Sequence, residues 1–157
     1  MTVTTATLEN GMRQVRDTIL IRRPPQELYD AWRGLTRLPE FMEHVVSVTS
    51  IGDHRSHWVV KGPAGKLVEW DAEMTEKPGE RTIAWHTLPG ADVRNAGEVS
   101  FQPSSDGNGT LMSVVISYDP PAGTAGVAIA RLFGQEAAQQ LEEDLKKFKR
   151  SMERGAM

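Results

Sequence analysis

Residues 55–77 read RSHWVVKGPAGKLVEWDAEMTEK, two runs of alternating apolar and polar side chains on either side of the turn GPAG. Alternation with a period of two is typical of a strand that has one dry face and one wet face. Trp58 and Trp70 fall on the apolar phase of these runs, and Trp85 falls on that of a later run. The pattern therefore predicts an antiparallel sheet whose dry face is rich in aromatic side chains.

Similar runs continue on both sides of this hairpin, separated by short turn signals. The predicted strands of this meander are Val45–Ile51, Arg55–Lys61, Lys66–Lys77, Arg81–Leu88, Glu98–Gln102 and Thr110–Tyr118. An earlier run, VRDTILI from Val15 to Ile21, predicts one more strand and gives a sheet of about seven. Residues 89–97 (PGADVRNAG) are too long and too charged for a tight turn, so we expect a projecting loop there.

The alternation also divides the side chains between the two faces of the sheet. The inner set is Val46, Val48, Trp58, Val60, Val68, Trp70, Ala72, Met74, Ile83, Trp85, Val99, Phe101, Val114, Ile116 and Tyr118. The outer set includes Glu69, Asp71, Glu73, His57, His86 and Glu98. On the first strand, Asp17 is the only acid in phase with inward apolar neighbours.

Helical patterns flank the meander. Pro25 opens a helix whose apolar stripe is Leu28, Ala31, Trp32 and Leu35, and a second short helix near Pro39 and Glu40 brings Phe41 and Met42 inward. From Gly123 to Met152, apolar side chains recur at steps of three and four, which predicts one long amphipathic helix. Its charged face, including Asp144, is expected to be solvated. The chain is therefore predicted to be an α+β protein.

Composition narrows the functional classes. The 157 residues suit one domain over 13–154, preceded by a leader over 1–12 that we expect to be flexible. With 18 Lys and Arg against 21 Asp and Glu, the net charge of −3 argues against nucleic acid as a partner. The absence of Cys fits a cytoplasmic protein, and no signal peptide or transmembrane segment is predicted.

No metal or other cofactor is expected from the sequence. The four histidines (His44, His54, His57 and His86) lie at no familiar ligand spacing, and no thiolate can join them. The projecting loop of residues 89–97 contains an acid, a cation and an amide within four residues: Asp92, Arg94 and Asn95. Loops of this kind often form the rim of a binding site. They either orient a polar group of a ligand or stabilise the loop through their own backbone. Glu43 and His44 lie at the end of the second predicted short helix, where a surface position is the ordinary expectation.

Three stretches resemble the START-like (SRPBCC) superfamily, especially its bacterial polyketide cyclase/dehydrase-like branch. They are ILIRRPPQELYDAWRGLTRLPEFM (19–42), VVKGPAGKLVEWDAEMTE (59–76) and IAWHTLPGADVRNAGEVSF (83–101). The resemblance extends from about Val15 to Met152. It implies a helix-grip fold, in which a curved antiparallel sheet wraps around the long C-terminal helix, with two short helices after the first strand. It also implies an apolar cavity between sheet and helix.

Three functions follow as hypotheses. The first is binding or carriage of a small, mainly apolar or aromatic molecule in that cavity. The candidate ligand-binding residues are Trp58, Trp70, Trp85, Phe101, Tyr118, Phe133 and Arg131. The alternative for each aromatic residue is a place in an ordinary core.

The second hypothesis is a cyclase or dehydratase that works by positioning its substrate, since catalytic groups are scarce among the inward residues. Asp17, Tyr118 and Arg131 are its candidate chemical agents. The third is a protein-interaction module that uses Val59, Leu67 and Val115 on the outer face, and the pattern leaves a homodimer open.

Overall fold

The computed structural model describes residues 2–7, 13–33, 35–43, 45–61, 67–91, 94–118 and 135–154. Their strands are β1 (Thr2–Thr7), β2 (Arg13–Ile21), β3 (Val45–Gly52), β4 (Arg55–Lys61), β5 (Leu67–Lys77), β6 (Thr82–Thr87), β7 (Asn95–Pro103) and β8 (Thr110–Tyr118). The helices are α1 (Pro25–Trp32), a 3₁₀ turn (Leu38–Glu40) and α2 (Gln135–Arg154). The second predicted short helix is thus a single 3₁₀ turn.

The eight strands of the described chain form one sheet in the order β1-β2-β8-β7-β6-β5-β4-β3, and every neighbouring pair is antiparallel. The sheet is curved and accompanies a C-terminal helix, which confirms the prediction of an α+β helix-grip fold. All seven predicted strands are present. They follow from a two-residue alternation that buries one face of each strand.

One strand was not predicted. Thr2–Thr7 pairs along its whole length with β2, from Thr2 opposite Thr18 to Thr7 opposite Arg13, although we expected a flexible leader there. The stretch TVTTAT is rich in β-branched residues, which favour strands, but it lacks the clear apolar alternation that identified the others. This stretch forms a strand because β2 would otherwise have an exposed edge with which it can pair.

The predicted division between the two faces is confirmed for most of the meander, since the inward positions of β4 to β8 are buried or half-buried. Val46 is the exception and is 50% exposed. A register shift between Val45 and Ser47 inserts an extra residue into β3 and turns Val46 outward. The loop before β7 is also shorter than predicted, because the strand already begins at Asn95.

Helix α1 begins as the sequence predicted, with Pro25 in its first turn. Its stripe of Leu28, Ala31 and Trp32 is buried, as is Leu35 just beyond its end. The helix packs mainly against β7. This contact brings the Trp32 ring beside Phe101 of β7, with 6.4 Å between the ring centroids.

Helix α2 lies along β2 and β1 through the apolar stripe Leu141, Leu145 and Phe148. Its C-terminal end is fixed by polar contacts to β2 and the residue after it: the Lys149 ammonium donates to the Leu20 carbonyl at 2.6 Å. Glu153 accepts from the Arg22 amide at 2.8 Å. The predicted first part of this helix, residues 123–134, lies outside the described residues.

The expectation that Asp144 is solvated is wrong. Its side chain is buried where α2 meets the segment after the 3₁₀ turn, and it accepts from the Gln140 amide at 2.8 Å and the Glu43 backbone at 3.4 Å. The helical period places it among charged neighbours, but the segment that covers it comes from a distant part of the sequence. Sequence periodicity on α2 alone could not reveal this contact.

Candidate functional site

The inner face of β4, β5 and β6 carries three stacked indoles, which we call the tryptophan stack: Trp58, Trp70 and Trp85. Trp58 lies in the middle, with ring centroids 5.8 Å from Trp70 and 5.5 Å from Trp85. The interplanar angles are 22° and 28°, so these are offset-stacked pairs. Trp58 and Trp70 are direct cross-strand partners, which follows from the register of the hairpin quoted first.

The three indoles are enclosed, with 4%, 5% and 7% of Trp58, Trp70 and Trp85 exposed. Within the described chain, however, the main helix contacts fall elsewhere: α2 packs on β1 and β2, α1 on β7, and the 3₁₀ turn on β3. The strands that carry the tryptophan stack, β4, β5 and β6, are therefore not the strands against which the described helices mainly pack.

The indole N–H groups of the stack differ in their partners. Trp58 donates to the Ser56 hydroxyl at 2.9 Å, and Trp85 donates to the Asn95 side-chain oxygen at 3.2 Å. The Trp70 N–H is buried and has no hydrogen-bond partner among the described residues. Sequence reasoning identified the three indoles but missed Ser56 and the role of Asn95.

Gly97 creates the space in which the Trp85 ring lies. The two residues are opposite each other on β7 and β6, and a Cβ added at Gly97 would collide with Cζ2, Cη2 and Cε2 of Trp85. The ring thus occupies the space that a side chain at position 97 would take on β7. A glycine in a strand interior often marks such a close approach.

A second aromatic group, the helix-side cluster, consists of Tyr29, Trp32, Phe41, Phe101 and Phe148. Its members come from α1, the residue after the 3₁₀ turn, β7 and α2. Trp32 contacts Phe148 edge to face at 5.7 Å, and Phe41 contacts Phe148 at 4.7 Å. Phe101, one of the predicted ligand-binding residues, is fully buried in this cluster, against Tyr29 and Trp32.

The other predicted residues are distributed as follows. Tyr118 is buried at the end of β8, where it pairs with Asn95 on β7. Asn95 is itself buried and in a strand, so it does not belong to a projecting rim, whereas Arg94 beside it is exposed. The predicted residues that lie outside the described ranges are His44, Asp92, Arg131 and Phe133.

Asp17 is fully buried on the inner face of β2, as its phase predicted. Its Oδ1 accepts from the Thr18 amide at 2.8 Å, and its Oδ2 has no partner among the described residues. Burial raises the pKa of the Asp17 carboxyl, and Glu142 on α2 adds to the effect. This environment favours the protonated acid, which is able to donate a proton or a hydrogen bond.

The outer face of the same strands is polar. His57 lies between two carboxylates of β5: Nδ1 is 2.6 Å from Asp71, and Nε2 is 2.9 Å from Glu69. The hydrogen bonds to Asp71 and then Glu69 raise the pKa of His57. Leu67 is exposed nearby, while Val59 and Val115 are half-buried, so the predicted outer apolar patch is interrupted by charge.

One surface groove of about 270 Å³ lies between Glu43 and the polar side of α2. Its lining residues include Gln140, Glu143, Lys146 and Arg150, and a charged lining of this kind does not suit an apolar guest. Within the described ranges, no set of three or more His, Asp or Glu side chains is arranged to hold a metal ion. No helix in those ranges combines the length and apolar character needed to cross a membrane.

Residues 21–146 match the family described as polyketide cyclase / dehydrase and lipid transport. The chain belongs to this family. A protein from Deinococcus radiodurans with a known crystal structure is 41% identical, with a TM-score of 0.73, and the match covers 90% of this chain and 98% of that one.

More distant solved structures share the fold. An aromatase/cyclase, Zhui, from a Streptomyces species is 21% identical with a TM-score of 0.67, over 93% of this chain and 96% of that one. A START superfamily protein from Mycobacterium smegmatis is 15% identical with a TM-score of 0.69, over 88% of this chain and 98% of that one. The family match confirms the polyketide cyclase/dehydrase-like assignment made from sequence, and these structures confirm the START-like fold.

Proposed function

We propose that the protein binds a small, flat, mainly apolar molecule against the tryptophan stack, on the inner face of the curved sheet. The observation that supports the proposal most directly is the stack that Trp58 forms between Trp70 and Trp85, three rings from adjacent strands. A planar guest can extend such a stack by packing in the same offset geometry against a terminal ring. The ligand would replace the contacts that now enclose these indoles.

The family and the location of the helix contacts support this proposal. The family description includes lipid transport, an activity that needs an apolar site. The described helices pack mainly on β1, β2, β3 and β7, so a guest on β4 to β6 would leave those contacts in place. Of the predicted ligand-binding residues, Phe101 makes its aromatic contacts in the helix-side cluster, so the proposal centres on the three tryptophans.

Fluorene, a flat apolar three-ring hydrocarbon, is a suitable probe. We expect saturable one-to-one binding that changes the tryptophan emission, measured by fluorescence titration and confirmed by native mass spectrometry. Trp85→Ala should weaken binding by about tenfold or more, because it removes one stacked ring and its apolar area. Circular dichroism and urea unfolding should show that this variant still folds.

Trp32→Phe is the matched control, because Trp32 lies in the helix-side cluster and the substitution keeps an aromatic ring there. It should leave the fluorene affinity within about twofold. Failure of the wild-type protein to bind fluorene would count against the proposal. So would a loss of affinity in Trp32→Phe together with unchanged affinity in Trp85→Ala.

A cyclase or dehydratase that positions its substrate is the second candidate, and Asp17 is the observation in its favour. A buried carboxyl with a raised pKa and an unpartnered oxygen is a reasonable general acid. If a substrate screen detects turnover, Asp17→Asn should lower kcat while leaving the affinity for fluorene unchanged. Unchanged kcat in that variant would remove Asp17 from the mechanism.

A further inference from the structure

The three indole N–H groups of the tryptophan stack provide an internal comparison. Two of them have a protein acceptor: the Ser56 hydroxyl for Trp58 and the Asn95 amide oxygen for Trp85. The third, on Trp70, is equally buried and has none among the described residues. Leaving a donor unsatisfied in a dry site costs free energy, so the difference calls for an explanation.

The local sequence explains why the protein supplies no acceptor to Trp70. Ser56 reaches Trp58 because residues two apart on a strand lie on the same face. The corresponding neighbours of Trp70 on β5 are Val68 and Ala72, which have no side-chain acceptor. Ser56, across the strand pair, is already hydrogen-bonded to Trp58. The N–H therefore faces a surface without a built-in partner.

From this geometry we infer that Trp70 is the specificity-determining donor of the site: its indole N–H binds a neutral acceptor, such as a ring carbonyl, on a flat aromatic ligand. The inference rests on the proposed function and adds the chemical class of ligand. A neutral acceptor fits better than an anion, because the same-face neighbours Val68, Ala72 and Trp58 offer no positive charge.

The test compares two probes with the same three-ring skeleton, fluorene and 9-fluorenone, which differ by one carbonyl oxygen. The wild-type protein should bind fluorenone about tenfold more tightly, since only fluorenone satisfies the buried donor. Trp70→Phe should abolish this preference, so that the variant binds fluorene and fluorenone with equal affinity, because the substitution removes the N–H and keeps an aromatic ring.

Trp58→Phe and Trp85→Phe are the matched controls. Each removes an N–H that already has a protein acceptor, so each should change the affinities for both probes by the same factor and retain the preference for fluorenone. A preference that persists in Trp70→Phe, or that is absent in the wild-type protein, would overturn the inference. Fluorene binding itself tests the proposed function, so the two failures are distinguishable.

Infrared spectroscopy gives a second measurement that does not depend on the folding of any variant. The carbonyl stretch of fluorenone bound to the wild-type protein should lie at lower frequency than in a hydrocarbon solvent, as expected for a hydrogen-bonded carbonyl. A frequency equal to that in hydrocarbon would show that no donor reaches the oxygen, and would overturn the inference even if Trp70→Phe fails to fold.

Discussion

The tryptophan stack and the helix-side cluster are both aromatic and buried, but they are built from different neighbours. The stack takes its three rings from adjacent strands, and each ring lies roughly parallel to the next. The cluster takes its rings from helices, a turn and one strand, mostly with edge-to-face contacts such as that of Trp32 and Phe148. Edge-to-face packing fills space in several directions, whereas a stack of parallel rings can be extended by one more flat ring at its end.

The tryptophan stack and the helix-side cluster are similar in composition, but this difference in packing gives them different roles in the fold. The helix-side cluster joins α1, the 3₁₀ turn and α2 to the sheet, so its rings hold distant parts of the chain together. Within the described chain, the stack joins β4, β5 and β6 to one another and to β7, and these neighbouring strands are already linked by backbone hydrogen bonds. A ring that is not needed to fix the fold is free to serve a ligand.

The largest expected effect is on the cluster. Phe148→Ala should lower the free energy of unfolding by about 3–5 kcal/mol, because it leaves a cavity between Trp32 and Phe41. Urea unfolding followed by far-ultraviolet circular dichroism measures this loss. Trp85→Ala should cost clearly less. Equal losses would break the comparison, since the stack would then behave as ordinary core.

An intermediate effect is expected at Gly97, beneath the stack. Gly97→Ala should lower the free energy of unfolding by about 1–3 kcal/mol, because the new methyl group displaces the Trp85 ring. It should also reduce the near-ultraviolet circular dichroism of the coupled indoles and weaken fluorene binding.

Gly79→Ala is the matched control for Gly97→Ala. A Cβ at Gly79 meets nothing within 4 Å, so the change should stay within about 0.5 kcal/mol. An unaltered near-ultraviolet spectrum in Gly97→Ala would mean that the close approach of Trp85 to β7 does not hold the stack in place.

The smallest effect concerns the outer face behind the stack, where His57 links β4 to Asp71 and Glu69 on β5. A folded-state pKa above the unfolded value means that protonation stabilises the fold. This contribution is complete below the unfolded pKa, near 6.5, and is lost as pH rises through the higher folded pKa. Wild-type stability should therefore fall over that window, by a small amount because the group is partly exposed.

His57→Gln should flatten this part of the pH profile when urea midpoints are measured between about pH 6 and pH 9. Asp71→Asn should reduce the slope as well, since the hydrogen bond to Asp71 is the main cause of the raised pKa. Identical profiles for wild type and His57→Gln would show that the two carboxylates do not stabilise the imidazolium.

Much of this arrangement could be predicted from the sequence. The alternation around Trp58, Trp70 and Trp85 assigned all three to the inner face, and the periodicity of Leu141 and Leu145 identified the buried side of α2. These predictions succeed because the position of a residue within its own strand or helix determines the face of that element on which its side chain lies. The START-like resemblance supplied the overall architecture, which the structure confirms.

What the sequence could not predict depends on contacts between distant segments. Val46 turns outward because of a register shift in β3, Asp144 is buried by the segment at Glu43, and Asn95 accepts from Trp85 because β7 begins three residues early. The sequence by itself determined which rings are inside. Tertiary structure alone decided which rings pack the helices, and which N–H of the tryptophan stack remains without a partner, because both depend on inter-strand pairing and on how the helices pack across the sheet.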